Sequence, residues 1–329
     1  MTSVRSVLII QTAFLGDVIL ATGLVEKLKE YYPEVTIDFL LRKGNEGVLA
    51  GHPKIREVII FDKKRKYRNL WLIIRKIRAA RYDYVINVQR FATTGLITVL
   101  SGATTIGFDK NPFSFIFSVR VRHLVTGLHE TERNQRLIEG LTDGKAAPPR
   151  LYPSSEDIDS VRSYVSEPFV TMAPASIWFT KQWPAEKWKE LCQKISDRLK
   201  VYLLGAPSDI ELCQGIANKF DPDRVVNLAG KLSLLQSAAL MKHATMNFVN
   251  DSAPMHLASA MNAPVTAIYC STVPSFGFGP LSSVKNIVET TEQLDCRPCG
   301  LHGHKACPQG HFKCAWMISA QEVKNVLDI

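Results

Sequence analysis

The sequence predicts an α/β protein of two Rossmann-like, doubly wound domains that face a central cleft. Short apolar runs alternate with helix-length amphipathic stretches along all 329 residues, as in parallel sheets covered by helices. A chain of this length fits two domains of about 150 residues each. The Pro-rich, aperiodic residues 142–156 are typical of a linker. The predicted domains are therefore residues 1–150 and 151–329.

The predicted elements repeat the same order in both halves. In the first half the predicted strands are Val7–Gln11, Thr36–Leu41, Glu57–Phe61, Tyr84–Gln89 and Thr104–Phe108, and the clearest helices are Asp17–Tyr32 and Asn69–Arg81. In the second half the predicted strands are Phe169–Ala173, Val201–Leu204, Val225–Leu228, Met246–Asn250 and Val265–Tyr269, and the helices are Ala185–Leu199, Ser208–Lys219, Leu234–His243 and Pro254–Met261. The polar motifs follow strands, at the sheet edge where open α/β sheets bind ligands.

Composition and charge narrow the class of protein. The chain is 46% apolar and 22% charged, which is typical of a globular protein. It contains no apolar run of about 18 residues that would span a membrane. A strand follows the N-terminus directly and leaves no room for a signal peptide, so we expect a cytoplasmic protein.

The positive charge is concentrated in the first half. Residues 1–150 hold 24 Lys and Arg against 14 Asp and Glu, whereas residues 151–329 hold 16 against 17, which gives net charges of +10 and −1. This asymmetry indicates that the first half meets an anionic partner. Nucleic acid, anionic lipid headgroups and a phosphorylated glycan all have the required charge.

The segment 248–270 is the most informative part of the chain, with the pattern strand, polar turn, short helix and strand. Asp251 and Ser252 stand where the helix begins, so its unpaired N–H groups and the positive end of its dipole meet any ligand there. His256 lies on the same helix face as Ser252, one turn further. An anion such as a diphosphate would bind at this corner.

A second motif follows the first strand, where Gly16 and Asp17 begin a helix. Asp17 is either the N-cap of that helix, a position at which aspartate is preferred, or a carboxylate that removes a proton from a sugar hydroxyl. Neither the G-x-G-x-x-G nor the P-loop fingerprint is present, which argues against dinucleotide and ordinary NTP binding.

Two further loops leave strands of the second half. Ser176 and Lys181 lie in the first of them; Lys181 is either a solvated lysine or a cation that neutralises a leaving group. Asp209 lies in the second loop. It is either an acid of the first helical turn or a hydrogen-bond acceptor for a ribose or base.

A basic run precedes the second predicted helix, and no acid occurs between Asp62 and Asp83. The run is either a solvated helix face or a contact with anionic headgroups or acceptor; nucleic acid is less favoured because aromatic residues are sparse. The candidate acceptor-binding residues in it are Lys63, Lys64, Arg65, Lys66 and Arg68.

The C-terminal region carries a cysteine-rich segment, residues 296–314. Its cysteines are Cys296, Cys299, Cys307 and Cys314. A C-x2-C pair with two later cysteines has the ligand types of a structural zinc site, although the later spacings are unlike common zinc modules. Reduced thiols and, less so, disulfides remain open for a cytoplasmic protein.

Together these motifs resemble the lipopolysaccharide heptosyltransferases, glycosyltransferase family 9. The resemblance rests on the loops Phe14–Thr22, Lys181–Pro184 and Asn250–Ala260, extends to Pro264 and the residues 271–274, and covers essentially the whole chain. It implies a GT-B fold with the acceptor in the first domain and the nucleotide sugar in the second. It also implies inverting transfer of heptose from ADP-heptose to the lipopolysaccharide inner core, with no metal needed for the chemistry.

The resemblance also assigns roles to residues. It implies Asp17 as the general base, Lys181 as the donor-phosphate lysine, and the segment from Asp251 to His256 as the phosphate motif. Ser176, Asp209 and Leu232 match donor-contacting positions more loosely. Two departures from the family pattern are Ala253, where the motif has glycine, and Gly23, where proline is usual and which should only loosen a helix turn.

The predicted function is therefore heptosyl transfer onto a lipid A–core acceptor by an enzyme at the inner face of the inner membrane, without nucleic acid as a partner. The first alternative is a related glycosyltransferase with another nucleotide sugar and another surface glycan, since one altered contact changes sugar preference. A more distant alternative is a non-enzymatic, zinc-stapled module that binds anionic lipid or nucleic acid. A nicotinamide-dependent oxidoreductase is disfavoured by the missing glycine fingerprint.

Overall fold

The computed structural model describes residues 4–62, 64, 66–125 and 127–327, and only the backbone of Lys66 and Tyr67. The chain divides into two compact units, Met1–Tyr152 and Pro153–Ile329. Within the described residues, each unit holds a six-stranded sheet in which all neighbouring strands are parallel.

Strands and helices alternate in the first unit. Its strands are β1 Ser6–Ile10, β2 Thr36–Arg42, β3 Glu57–Phe61, β4 Tyr84–Asn87, β5 Thr104–Phe108 and β6 Val119–Val121. Its helices are α1 Leu15–Tyr31, α2 Lys66–Ala80, α3 Ala92–Val99 and α4 Glu130–Gln135.

The second unit has the same alternation. Its strands are β7 Phe169–Ala173, β8 Lys200–Leu203, β9 Val225–Asn227, β10 Met246–Asn250, β11 Val265–Tyr269 and β12 Lys285–Glu289. Its helices are α5 Ser155–Val161, α6 Ala185–Ile195, α7 Ile210–Ala217, α8 Leu234–His243, α9 Ala253–Ala260, α10 Lys313–Trp316 and α11 Ala320–Lys324.

Both sheets have the same doubly wound strand order. The first is β3-β2-β1-β4-β5-β6, and the second is β12-β11-β10-β7-β8-β9. Counted from the first strand of each unit, both read 3-2-1-4-5-6, the order of the Rossmann fold. The predicted α/β, doubly wound architecture is confirmed. The order reverses between β1 and β4 and between β7 and β10, and ligands bind at such switch points.

Two edge strands were not predicted from the sequence. β6 is short and largely exposed, and β12 alternates between exposed and half-buried residues. Neither therefore contains the buried apolar run by which the central strands were recognised. All five strands predicted in each half are present; half of them have the predicted bounds, and the others have ends shifted by one or two residues.

The apolar faces of the helices pack on the sheets and complete the hydrophobic cores. In the first unit, α2 buries Ile73, Ile74 and Ile77 against a cluster that includes Leu8 and Leu40. In the second unit, α6 buries residues including Leu191 and Ile195. The indoles of Trp183 and Trp188 are also buried in this core, where they pack edge to face at 5.1 Å. No helix among the described residues is long and apolar enough to cross a membrane.

Gly23 has a packing role that the sequence analysis missed. A Cβ at this position would lie 2.7 Å from the carbonyl oxygen of Ala147. One residue earlier, the Thr22 hydroxyl accepts a hydrogen bond of 3.0 Å from the Arg150 N–H. The backbone around Ala147, which lies in the predicted linker, therefore crosses α1 so closely that only glycine fits at position 23. The prediction that Gly23 only loosens a helix turn is wrong.

Candidate active site

Asp17 lies at the switch point of the first sheet. It is the third residue of α1, directly after β1, and its Oδ2 accepts a hydrogen bond of 3.2 Å from the Phe14 N–H in a capping box. The side chain is partly exposed. The N-cap of α1 is Phe14 and not Asp17 as predicted, because the helix begins two residues earlier and Asp17 supplies the N3 carboxylate of the capping box. This position leaves the carboxylate at the ligand-binding edge of the sheet.

A buried ion pair lies in the electrostatic neighbourhood of Asp17. The Arg133 guanidinium contacts Glu130 Oε2 at 2.8 Å through Nε and Nη2 and donates to the carbonyls of Val125 and Leu128. Burial raises the pKa of Glu130 to about 7; Arg133 opposes this rise and the charge of Asp17 adds to it. Near pH 7 the charge beside Asp17 therefore depends on pH.

The switch point of the second sheet holds a charged cluster. Lys181 Nζ lies 2.6 Å from Asp251 Oδ2, and both side chains are mostly buried. The Thr272 hydroxyl donates to the same oxygen at 2.7 Å. The structure thus brings together Lys181 and Asp251, which are far apart in sequence, and their mutual contact orients the lysine ammonium.

Asn250 fixes the loop that carries Lys181. Its Oδ1 accepts from the Trp183 N–H at 3.0 Å, and its Nδ2 donates to the Pro174 carbonyl at 2.8 Å. Asn250 ends β10 and is fully buried. The Asn250 side chain therefore fixes both ends of the loop after β7 by hydrogen bonds.

The cysteine-rich segment packs on the other side of the same loop. The Thr180 N–H donates to the His304 carbonyl at 3.1 Å, and the His304 N–H donates to Thr180 Oγ1 at 2.7 Å. Gly303, at φ +76°, precedes His304; a Cβ there would come within 2.9 Å of Thr180 Oγ1 and 3.3 Å of Lys181 Cγ. The segment therefore contacts the residues that position Lys181.

Arg297 anchors this segment to the end of β11. Its guanidinium donates to the carbonyls of Cys270 at 2.8 Å and Thr272 at 2.9 Å, and it pairs with Glu289 at 2.5 Å. The Thr272 hydroxyl in turn donates to Asp251. Arg297 therefore positions a residue that orients the charged cluster.

Helix α9 begins beside the charged cluster. Ser252 is its N-cap in extended conformation, and no side-chain hydrogen bond caps the helix. Ala253 is the first helical residue and is not among the non-glycine residues with positive φ, so its backbone conformation does not require the family glycine. His256 is buried, with its ring centroid 6.5 Å from that of Phe278.

The looser donor candidates have local roles. Asp209 accepts from the Ala206 N–H at 2.8 Å and from the Ser208 hydroxyl at 3.1 Å, so its carboxylate caps its own turn. The carbonyl of Ser176 accepts from Gln182 Nε2 at 2.6 Å. Leu232 is half-buried just before α8. Their contact with a donor stays a prediction.

The basic run is only partly described. Lys63 and Arg65 lie outside the described residues, and only the backbone of Lys66 is described. Lys64 and Arg68 are exposed, as a solvated face or an anion-binding surface requires. Binding of the acceptor by these residues stays a prediction.

The four clustered cysteines are free thiols. Cys314 is buried, and burial raises its pKa to about 11; burial also raises the pKa of Cys299. In the part of the chain that the structure describes, no three His, Cys, Asp or Glu side chains are arranged to hold a metal ion. The structural zinc site stays a prediction.

Several site residues were missed because their partners are remote in sequence. Thr180 and His304 are 124 residues apart, and Thr272 reaches Asp251 across 21. Periodicity reports only local structure. A usable signal was present for Glu130 and Arg133, because opposite charges three residues apart face each other on a helix.

The chain is a two-domain α/β protein with charged side chains at the switch point of each sheet. The family model described as glycosyltransferase family 9 (heptosyltransferase) matches residues 70–306. The chain therefore belongs to glycosyltransferase family 9, and it is a glycosyltransferase.

The proteins that this chain resembles include heptosyltransferases and a glycosyl transferase of family 9. Lipopolysaccharide heptosyltransferase 3 of Escherichia coli K12 is 27% identical over 283 residues, which are 78% of this chain and 80% of that protein. The glycosyl transferase family 9 structure from Veillonella parvula superposes with a TM-score of 0.84 at 23% identity, over 98% of this chain and 95% of that one. The E. coli ADP-heptose lps heptosyltransferase II superposes with a TM-score of 0.81 at 22% identity, over 98% of both chains. The expected GT-B fold is confirmed.

Proposed function

We propose that the protein transfers heptose from ADP-heptose to the inner core of lipopolysaccharide, with inversion at the anomeric carbon. The observation that carries the proposal is the Lys181–Asp251 pair at the second switch point, beside the start of α9. An ammonium ion and helix N–H groups together favour a diphosphate. Family membership and the relatives' names support heptose as the transferred sugar and ADP as its carrier.

In the proposed reaction, each unit performs one part of the chemistry. Asp17 accepts the proton of an acceptor hydroxyl as that oxygen attacks the anomeric carbon of heptose. The bond from this carbon to the diphosphate oxygen breaks, and ADP leaves with the bonding electron pair. Lys181 neutralises the charge that develops on the leaving diphosphate. The positive charge comes from side chain and backbone, so the proposed chemistry uses no metal.

Asp251 has an orienting role in this mechanism. A carboxylate facing a diphosphate would repel it, but the Asp251 Oδ2 is occupied by Lys181 and by the Thr272 hydroxyl. The pair holds the ammonium in place before the donor arrives, and this preorganisation makes the charge effective in a mostly dry site.

The nucleotide preference tests the donor. A ligand that binds only the folded protein raises its stability in proportion to RT ln(1 + [L]/Kd), about 2.7 kcal/mol at a hundredfold excess over Kd. We expect ADP to raise the melting temperature and UDP and GDP to leave it nearly unchanged. Release of ADP from ADP-heptose should then require a lipid-linked core acceptor. Stabilisation by UDP without ADP would replace this proposal by a related transferase with another nucleotide sugar.

We further propose that the first unit contacts the inner face of the inner membrane through α2. Trp71 and Leu72 are 60% and 50% exposed, while Arg68, Arg75 and Arg78 on the same helix are also exposed. Indole rings favour the membrane interface, and each basic residue near an anionic surface contributes roughly 1 kcal/mol. A lipid-anchored acceptor makes such contact useful.

Vesicle binding checks this contact. We expect the protein to sediment with vesicles containing phosphatidylglycerol but only weakly with pure phosphatidylcholine, and added salt should weaken binding. The double variant Trp71→Ser, Leu72→Ser should lose most of the binding. Trp316→Ser is the matched control, because Trp316 is 46% exposed on α10 of the other unit. Equal binding of both variants would refute α2 as the contact.

A further inference from the structure

We propose that Arg42 and Arg90, each lying over a phenylalanine ring at the switch-point edge of the first sheet, form a binding site for an anionic sugar of the acceptor. This inference rests on the proposed function and adds the residues and the ligand chemistry of the acceptor side. Arg42 ends β2 and Arg90 follows β4, so both stand at the carboxyl ends of strands that flank β1.

Each guanidinium lies over an aromatic ring. The Cζ of Arg42 is 5.0 Å from the centroid of Phe14, and that of Arg90 is 5.7 Å from the centroid of Phe91. The two rings are 46% and 53% exposed. The Phe14 N–H also donates a hydrogen bond of 3.2 Å to Asp17 Oδ2. The Arg42–Phe14 pair is therefore joined directly to the proposed base.

The loops that carry these pairs are held together by buried amides. Gln89 Nε2 donates to Gln11 Oε1, which links the loops after β4 and β1. Asn45 Nδ2 donates to the Ala13 carbonyl at 3.0 Å, and Asn111 Nδ2 donates to the carbonyls of Gln89 and Phe91 at 3.0 and 3.1 Å. The loops after β1, β2, β4 and β5 therefore form one rigid rim, and a preformed site loses less entropy on binding.

These amides hold the rim without neutralising it. Within the described parts of the chain, Arg42, Arg90 and Lys110 form no ion pair, whereas the adjacent Lys43 pairs with Asp62 at 3.1 Å. The pKa of His123 falls to about 4, mainly through burial; Lys110, Arg133 and Arg90 also lower this pKa, and Asp109 opposes them. Unpaired cations on a rigid rim favour an anionic ligand.

The combination of ring and guanidinium specifies the ligand further. An apolar C–H face of a sugar ring gains free energy by burying area on phenylalanine, and a guanidinium binds a carboxylate or phosphate with two parallel hydrogen bonds. A simple anion would use only the arginines, and a neutral sugar only the rings. The site therefore fits a sugar that carries a carboxylate or phosphate.

Binding of simple probes tests the site independently of catalysis. The dissociation constants of glucuronate, glucose 6-phosphate and glucose are measured by ligand-observed NMR on the full chain. We expect the charged sugars to bind at least tenfold more tightly than glucose, and Arg42→Gln with Arg90→Gln to remove that difference. Phe14→Leu with Phe91→Leu should weaken both charged sugars while methyl phosphate binding is retained. Preference for glucuronate or for glucose 6-phosphate identifies the group as carboxylate or phosphate.

Lys43→Gln is the matched control, since it removes a neighbouring cation outside the proposed site and should leave binding unchanged. Wild-type affinity in the double arginine variant, or no binding of the charged sugars to the wild type, would overturn the proposal. Stabilisation by ADP is measured on the same samples. If ADP does not stabilise the wild type, the donor assignment is contradicted. If ADP stabilises the wild type but the charged sugars do not bind, only this acceptor site is contradicted.

Discussion

The Asp17→Asn variant is expected to lower kcat by roughly 10²- to 10⁴-fold, the usual contribution of a positioned general base. The KM for the donor should change little, because the second unit carries the proposed diphosphate site. Asparagine keeps an acceptor oxygen for the Phe14 N–H, so the capping interaction and the fold should persist. Initial rates of ADP release at saturating donor measure the effect.

Asp157→Asn provides the matched control. Asp157 is likewise the third residue of its helix, α5, and its carboxylate accepts from the Ser154 N–H at 2.9 Å. This variant changes a capping box in the same way but should retain full turnover. Near wild-type turnover in Asp17→Asn would remove Asp17 from the role of base, whereas equal losses in both variants would show an effect of capping alone.

The Lys181→Met variant is expected to lower kcat/KM by roughly 10²- to 10³-fold, as removal of a single charge-stabilising donor does in other enzymes. The same change leaves the buried Asp251 carboxylate with Thr272 as its remaining hydrogen-bond partner among the described contacts. Breaking a buried pair from one side costs about 3–5 kcal/mol, and the residual exposure of Lys181 places the loss in stability below that range. Steady-state kinetics and denaturant unfolding measure the two effects separately.

The double variant Lys181→Met, Asp251→Asn separates catalysis from stability. It removes both charges and should recover most of the lost unfolding free energy, because no uncompensated charge stays buried. Turnover should not recover. Lys187→Met is the control, since Lys187 pairs with Glu190 at 3.0 Å on the surface of α6 and such pairs contribute little. Recovery of turnover in the double variant would contradict the role of Lys181 at the leaving group.

The central strands and the two switch-point motifs were predictable because their signals are local. Apolar runs such as Val7–Ile10 mark strands by themselves. Asp251 follows such a run directly, and Asp17 lies in the first turn of the helix that comes next after β1. The repeated alternation then implied two similar sheets. The family resemblance named Lys181, for which local pattern alone had left a solvated lysine equally open.

Contacts made by the cysteine-rich segment were beyond sequence reasoning. The positions of Gly303 and Arg297 depend on how a loop without periodicity lies against β11 and Thr180. No propensity encodes such packing. The same holds for Gly23, whose missing side chain is explained only by the crossing backbone at Ala147. The exposed edge strands β6 and β12 were not predicted for a different reason. They bury too few side chains to give a recognisable apolar pattern.

The common strand order of the two sheets has a consequence for how this enzyme diversifies. In the proposed reaction, acceptor and donor are each recognised by loops at the carboxyl ends of one sheet, and the strands beneath carry none of that specificity. Loops tolerate substitution far better than paired strands. Substitutions in the rim around Arg42 and Arg90 are therefore expected to change acceptor binding, while those in the loops around Lys181 are expected to change donor binding. Acceptor and donor preferences can then be altered independently within one polypeptide.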